Sequence, residues 1–240
     1  MTTRNELKRI LILGATSGIG RGLAEHYASG GNMVAATGRR TELLDELQSK
    51  FPDNILTMPL DVTQLETLPD KLDELTDRLG GLDMVIVSSG TGDINPALDF
   101  AIERHAVETN VCGFTAAVDW AFNRFKSQGY GHLAAITSLG ALVSEASAPA
   151  YNATKAYQAN YLDALRGKAV RECKNIYVTD IRPGFVDTNM AKGDGLFWVA
   201  PVDKAVRQIV QAVERRKKIV YITRRWRLVA FVLRAMQLMR

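Results

Sequence analysis

The sequence predicts an α/β domain, a doubly wound parallel sheet of about seven strands with helices on both faces. Two observations predict it. Short apolar runs alternate with longer amphipathic segments along most of the chain, the pattern of repeated βαβ units. The runs are also rich in Ile, Val, Leu and Ala on both alternating faces, as strands are when helices cover both sides of the sheet. At 240 residues the chain suits one large domain better than two.

The strand candidates are Arg9–Leu13, Met33–Thr37, Ile55–Pro59, Met84–Ser88, His132–Thr137, Ile176–Ile181 and Ile219–Ile222. Helical segments fall between them near 19–30, 41–50, 64–79, 99–127, 152–173 and 202–214. No repeat, low-complexity stretch or linker divides them, so residues 1–222 read as a single domain and 223–240 as a basic C-terminal helix or tail.

Apolar residues make up 47% and charged residues 23%, ordinary for a folded globular chain. Cys112 and Cys173 form no metal-binding or disulfide pattern and read as small core residues in a reducing compartment. The first residues are polar and lack the basic start, apolar stretch and cleavage site of a secretory signal, so a cytoplasmic location is expected. The net charge of +4 hints at nucleic acid only until it is located. Arg215, Arg216, Lys217, Lys218, Arg224, Arg225, Arg227, Arg234 and Arg240 hold the excess, and the body without them is slightly acidic. No nucleic-acid partner is expected.

The first strand runs into Gly14-Ala15-Thr16-Ser17-Gly18-Ile19-Gly20 and then a helix. Glycines tolerate positive φ and let main-chain N–H groups approach a ligand. A helix starting at such a turn aims its unpaired N–H groups and positive dipole end at a pyrophosphate. A tight strand–helix connection is the plainer reading of the same residues. The second strand ends Gly38-Arg39-Arg40. A carboxylate there would bond an adenosine ribose and repel a 2′-phosphate, whereas two guanidinium forks suit the phosphate and favour NADP(H) over NAD(H). Solvated charges at a helix start are the alternative. Asp61-Val62 after the third strand offers either an acceptor for the adenine amino group or an N-cap for a helix beginning near Gln64.

Tyr151-Asn152-Ala153-Thr154-Lys155 opens a helix and sets Tyr151 and Lys155 on one face at i and i+4. A free tyrosine titrates near 10, too high for a base at neutral pH, and a nearby ammonium with an oxidised nicotinamide would lower it. The neutral phenol would donate its proton to a carbonyl oxygen as hydride reaches the carbon. One Tyr–Lys pair proves little by itself.

Taken in order, these motifs resemble the classical short-chain dehydrogenase/reductase family over roughly residues 8–222, which implies a Rossmann-like fold and an active NADP(H)-dependent enzyme acting on a small carbonyl or alcohol substrate. The resemblance makes Gly14, Gly18 and Gly20 the cofactor loop, with Thr16, Ser17 and Ile19 beside them. It makes Ser138 the group holding the substrate oxygen, and Asn110 the holder of a relay water that links to Lys155. It gives Lys155 a second bond to the nicotinamide ribose. Pro183-Gly184, the Val186 backbone and the Thr188 side chain would hold the nicotinamide. Two residues depart from the family pattern. Ser88-Ser89-Gly90 stands for Asn-Ala-Gly, with a shorter side chain at the end of the fourth strand and Gly90 retained for close cofactor approach. Leu13 stands where a threonine usually bonds the glycine turn. The family's helices corresponding to 99–127 and 152–173 often form oligomer interfaces, so a homodimer or homotetramer is expected.

His26, His105 and His132 lack a paired acid or ligand spacing and read as structural or surface residues. The segment Phe185–Ala200, with Met190, Phe197 and Trp198, would cover a lipophilic substrate or pack against the core, with Gly193 and Gly195 as flexible points and Lys192 as its one cation. From Trp226 to Met239 the tail is too short to span a bilayer but suits a membrane interface, a neighbouring subunit or its own lid. A catalytically silent NADP(H)-binding sensor, or a membrane- or partner-recruited module, is the alternative reading of the whole chain.

Overall fold

The computed structural model describes residues 7–172, 175–191 and 196–238. Along the chain lie β1 (Arg9–Leu13), α1 (Gly18–Ser29), β2 (Met33–Gly38), α2 (Thr41–Lys50), β3 (Ile55–Pro59) and α3 (Leu68–Arg78). There follow β4 (Met84–Val87), α4 (Phe100–Val107), α5 (Phe114–Gln128), β5 (Gly131–Ile136), α6 (Pro149–Glu172), β6 (Ile176–Pro183), α7 (Val202–Glu214), β7 (Ile219–Ile222) and α8 (Trp226–Leu238). The seven strands pair in the order β3-β2-β1-β4-β5-β6-β7, all parallel.

Period-two alternation explains why both faces are apolar. Leu11, Leu13, Val85, Val87, Leu133 and Ala135 point to one side, against α3, α5 and α6. Ile10, Ile12, Met84, Ile86 and Ala134 point to the other, against α1, α2 and α7. The sheet reverses its winding between β1 and β4, where Leu13 lies level with both Thr37 and Val87. Residues just past those strand ends, Gly14, Gly38 and Ser88, share one edge, and ligands in such sheets bind at that switch point. With serine at 88, β4 keeps parallel pairing to both β1 and β5, and the Ser88 amide bonds the Leu13 carbonyl at 2.8 Å.

Local corrections follow from tertiary contacts. The helix expected over 99–127 is interrupted by a π-helical turn, Glu108–Gly113, between α4 and α5. The wider turn directs Asn110 and Gly113 inward and leaves Cys112 exposed, so the expectation of a core cysteine fails there. Cys173 lies outside the described residues. Helix α3 starts at Leu68, so Asp61 caps a separate turn rather than a helix at Gln64. His132 is buried, bonded through Nε2 to Thr179, and held neutral by burial, which pulls it down to about 4.

Candidate active site

A cleft of about 360 Å³ opens at the switch point. Of the predicted cofactor residues, Gly14, Thr16, Ser17, Gly18, Ile19, Arg39, Arg40, Asp61, Val62, Gly90 and Thr188 line it. The glycine turn is fastened to β2, since the Gly14 and Ala15 amides both donate to the Thr37 carbonyl. Gly14 has φ +86°, and a Cβ there would strike the Ser89 backbone. Gly20 sits behind the cleft, where a side chain would meet the Gly14 carbonyl, so its role is close helix–strand packing.

Ser17 is the N-cap of α1, yet its hydroxyl does not cap the helix. It accepts instead from the Arg40 guanidinium at 2.7 Å, which also donates to the Thr16 hydroxyl at 2.7 Å. Arg40 is thereby held across the glycine turn beside the amide end of α1. Asp61 is committed to its own turn, accepting from the Thr63 amide and hydroxyl. Burial pushes its carboxyl up, but the Thr63 donors, with Arg39 and His105, outweigh that and hold it below the ordinary range.

The chemical side is built on α6. Glu103, from α4, accepts from the Ala150 amide at 2.9 Å and from Asn95 at 2.5 Å. This carboxylate caps the first turn of the helix that carries Tyr151. A Cβ at Gly92 would collide with the Tyr151 ring, and one at Gly140 would lie 3.1 Å from the Ser138 hydroxyl and 3.4 Å from that ring. Ser138 and Tyr151 thus converge behind two glycines, one of which, Gly92, lines the cleft. Burial pushes the Tyr151 phenol up, and a hydrogen bond from Ser138 offsets it only in part. The expected lowering by Lys155 is therefore not produced by the protein alone; desolvation wins.

Lys155 is buried, with Nζ 5.8 Å from the Tyr151 ring centroid. Burial depresses its ammonium to about 8, against an upward pull from Asp180. Nζ donates to the Ile136 carbonyl at 3.3 Å and to Gln158 Oε1 at 3.0 Å. The other end of the Gln158 amide donates to the Asn110 main-chain carbonyl at 2.9 Å. An ammonium offers only donors and a carbonyl only lone pairs, so the partners fix the amide orientation. Gln158 thus links the Asn110 main chain directly to Lys155. The Asn110 side chain is spent on the Thr91 backbone, with both amide and carbonyl bonded, and on the Thr154 hydroxyl.

The nicotinamide-side expectations divide. Thr188 lies in the cleft, donates to the Val186 carbonyl, and touches Gly18. Pro183, Gly184 and Val186 do not line it. Gly184 lies against the Trp226 indole, and Val186 is buried in a bridge to Ala200. The lid aromatics Phe185, Phe197 and Trp198 pack on Trp226 of α8, with ring centroids 5.2–5.6 Å from it. Lys192, Gly193 and Gly195 lie outside the described residues.

Three residues were missed in the sequence. Glu103 and Gln158 are polar groups reaching across nearly 50 positions of chain. Thr109 lines the cleft with a buried hydroxyl that has no hydrogen-bond partner among the described residues. Glycine cradle, helix terminus, guanidinium and orphaned hydroxyl together fit a phosphate-bearing dinucleotide.

A family model described as short chain dehydrogenase matches residues 8–195. An uncharacterized oxidoreductase of Mycobacterium tuberculosis is 33% identical over 225 residues, covering 90% of this chain and 88% of that one. The NADP-dependent 3-hydroxy acid dehydrogenase YdfG of Escherichia coli is 30% identical, covering 74% and 72%. Among solved structures, a short-chain dehydrogenase from Streptomyces avermitilis superposes with TM-score 0.84 at 25% identity, covering 97% and 93%. One from Burkholderia cenocepacia in complex with NADP gives 0.83 at 23%, covering 96% and 94%.

Proposed function

The chain belongs to the classical short-chain dehydrogenase/reductase family, and on that premise we propose an NADP(H)-dependent oxidoreductase interconverting a lipophilic ketone or aldehyde and its alcohol, with Tyr151 as acid and base. One observation carries this reading: Ser138, Tyr151 and Lys155 converge behind Gly90 and Gly92, the stretch of backbone that lines the cleft.

The cofactor preference rests on Arg39 and Arg40 standing where a ribose-binding carboxylate would favour NAD(H). The NADP dependence of the Escherichia coli relative and the NADP held by the Burkholderia protein agree with it. The glycine turn would take the pyrophosphate and the two arginines the 2′-phosphate. Asp61 and Val62 would flank the adenine, and Gly90 and Thr188 the nicotinamide, with the main chain of Pro183, Gly184 and Val186 supporting Thr188 from outside the cleft. When bound, the nicotinamide supplies hydride for reduction or takes it up in oxidation.

The protein's own residues handle the proton. Ser138 holds the substrate oxygen beside the Tyr151 hydroxyl. Burial keeps that hydroxyl protonated, the form needed to donate to a carbonyl oxygen during reduction. Lys155, an ammonium held beneath it, stabilises the phenolate left behind. Asn110 fixes the cleft backbone at Thr91 and, through Gln158, the lysine.

NADPH oxidation against a panel of aldehydes and ketones, with NADH and Tyr151→Phe as controls, tests the proposal. NADPH-dependent turnover that is lost in the variant is expected. Tight NADPH binding without turnover across the panel, or turnover that survives in the variant, overturns it.

A further inference from the structure

We infer that α8 and the adjoining residues 197–199 form a docking surface for an anionic lipid bilayer, which sets the mouth of the substrate site against the membrane. The inference deepens the proposed function and rests on it for one point, that the substrate is a lipid-soluble carbonyl compound or alcohol taken from the bilayer.

Helix α8 is apolar on two faces. Trp226 and Ala230 are buried and seat it on the domain. Facing outward at i, i+3 and i+4 are Leu228, Phe231 and Val232, at 73%, 75% and 54% exposure. A helix that is apolar nearly all round needs an apolar surrounding on both sides, and its own domain covers only one. Phe197 and Trp198, which pack on Trp226, and the neighbouring Val199 are 52%, 44% and 39% exposed. Exposed apolar side chains of this size on α8 and on the segment packed against it mark an interaction site.

Charge selects the occupant. Glu214 is the last acid in the sequence; Arg215, Arg216, Lys217, Lys218, Arg224, Arg225 and Arg227 follow it. Arg224, Arg225 and Arg227 border the Leu228–Phe231 patch directly. Two copies meeting through this face would oppose their own arginines, since a two-fold interface pairs a patch with itself. Anionic head groups would neutralise them while acyl chains accept the apolar side chains. At 1.5 Å per residue, the thirteen residues of α8 reach about 20 Å, short of a span of about 30 Å. No helix among the described residues is long and apolar enough to cross, so α8 lies in the plane of the interface.

The same helix borders the chemistry. It packs on the turn Leu139–Leu142 that follows Ser138, and Trp226 holds Phe185 and Phe197 of the lid. A bilayer touching α8 therefore lies beside the segment that carries Thr188 and Met190, which line the cleft.

Flotation of the full-length protein with phosphatidylcholine vesicles, with and without phosphatidylglycerol, tests this at low and high salt. Binding that needs phosphatidylglycerol, weakens with salt and is lost in Phe231→Asp is expected. Arg224→Gln with Arg227→Gln weakens it about twenty-five-fold, at a factor of about five per arginine near an anionic surface. All these variants keep wild-type turnover of a short water-soluble aldehyde, whereas turnover of a long-chain ketone carried in the vesicles falls in Phe231→Asp. Equal binding to both vesicle types, flotation unchanged in Phe231→Asp, or no flotation beside a dimer that Phe231→Asp dissociates overturns the proposal. Intact flotation without any turnover upholds the docking surface and counts only against the oxidoreductase reading.

Discussion

Replacing Gln158 tests how the lysine of the site is held. Its side chain is 1% exposed and spans two buried groups, the Lys155 ammonium and the Asn110 carbonyl. Leucine at this position keeps the bulk and removes both bonds. A hydrogen bond to a charged group is worth about 1.5–3 kcal/mol, and a pKa unit about 1.4, so the ammonium falls one to two units below its value near 8. Glutamate keeps the length and sets a carboxylate against the ammonium, an arrangement that raises a lysine by roughly one to three units.

The two variants thus move the same group in opposite directions. The assay is kcat/KM for NADPH-dependent reduction across the neutral and alkaline range, with thermal unfolding as the control for folding. The alkaline limb shifts to lower pH in Gln158→Leu and to higher pH in Gln158→Glu. A purely structural glutamine would lower activity in both variants and leave the limb in place. Shifts of the same sign, or none in two folded variants, refute the reasoning.

Four further outcomes follow from the geometry. Lys155→Met stabilises the protein below pH 8 by up to about 3 kcal/mol, because burial lowers the folded pKa from 10.5 to about 8 and the full cost stands while both states are protonated. The gain fades between pH 8 and 10.5, where the folded wild type sheds its proton before the unfolded chain does; urea unfolding of both proteins reads it. Gly92→Ala drives a methyl into the Tyr151 ring and lowers kcat about a hundredfold, while NADPH binding followed by fluorescence persists. Arg40→Ala raises the KM for NADPH about ten- to a hundredfold and leaves that for NADH nearly unchanged, the signature of a lost charge-assisted contact in steady-state kinetics. Glu103→Ala uncaps α6 and removes one of the two bonds the Asn95 amide nitrogen donates, costing about 1–2 kcal/mol and lowering Tm by roughly 2–8 °C in a calorimetric scan.

The sheet was legible because its signal is local. Apolar runs at period two, joined by helices, leave few arrangements for a chain of this size, and the glycine turn announces its strand and helix within seven residues. The bonds that complete the site are not local. Glu103 meets Ala150 47 positions away, and Gln158 meets Asn110 48 away, so no window of sequence contains both partners. The π-helical turn escaped for a related reason. Its six residues have no composition of their own, and Gly113 in it packs against the Val62 carbonyl, a contact far outside the segment. Asp61 heads a short turn of its own through Thr63, two residues on, rather than the helix that begins at Leu68.

One signal was available and unused. On α6 the residues Tyr151, Thr154, Lys155 and Gln158 follow the i, i+3, i+4, i+7 spacing of a single face. Such a stripe normally holds the apolar residues that seat a helix; here it is polar, and Thr154, Lys155 and Gln158 are all buried. Helix α8 carries the opposite inversion, with Leu228, Phe231 and Val232 outward on the same kind of spacing. Folding alone favours neither arrangement, since one buries polar groups at a desolvation cost and the other leaves apolar area in water. Single exposed apolar residues such as Phe100 and Val170 occur elsewhere, but a whole stripe that inverts the rule, as on these two helices, marks function more sharply than agreement does. The buried polar stripe lies behind the cleft, and on the docking surface inferred above the exposed apolar one faces the bilayer.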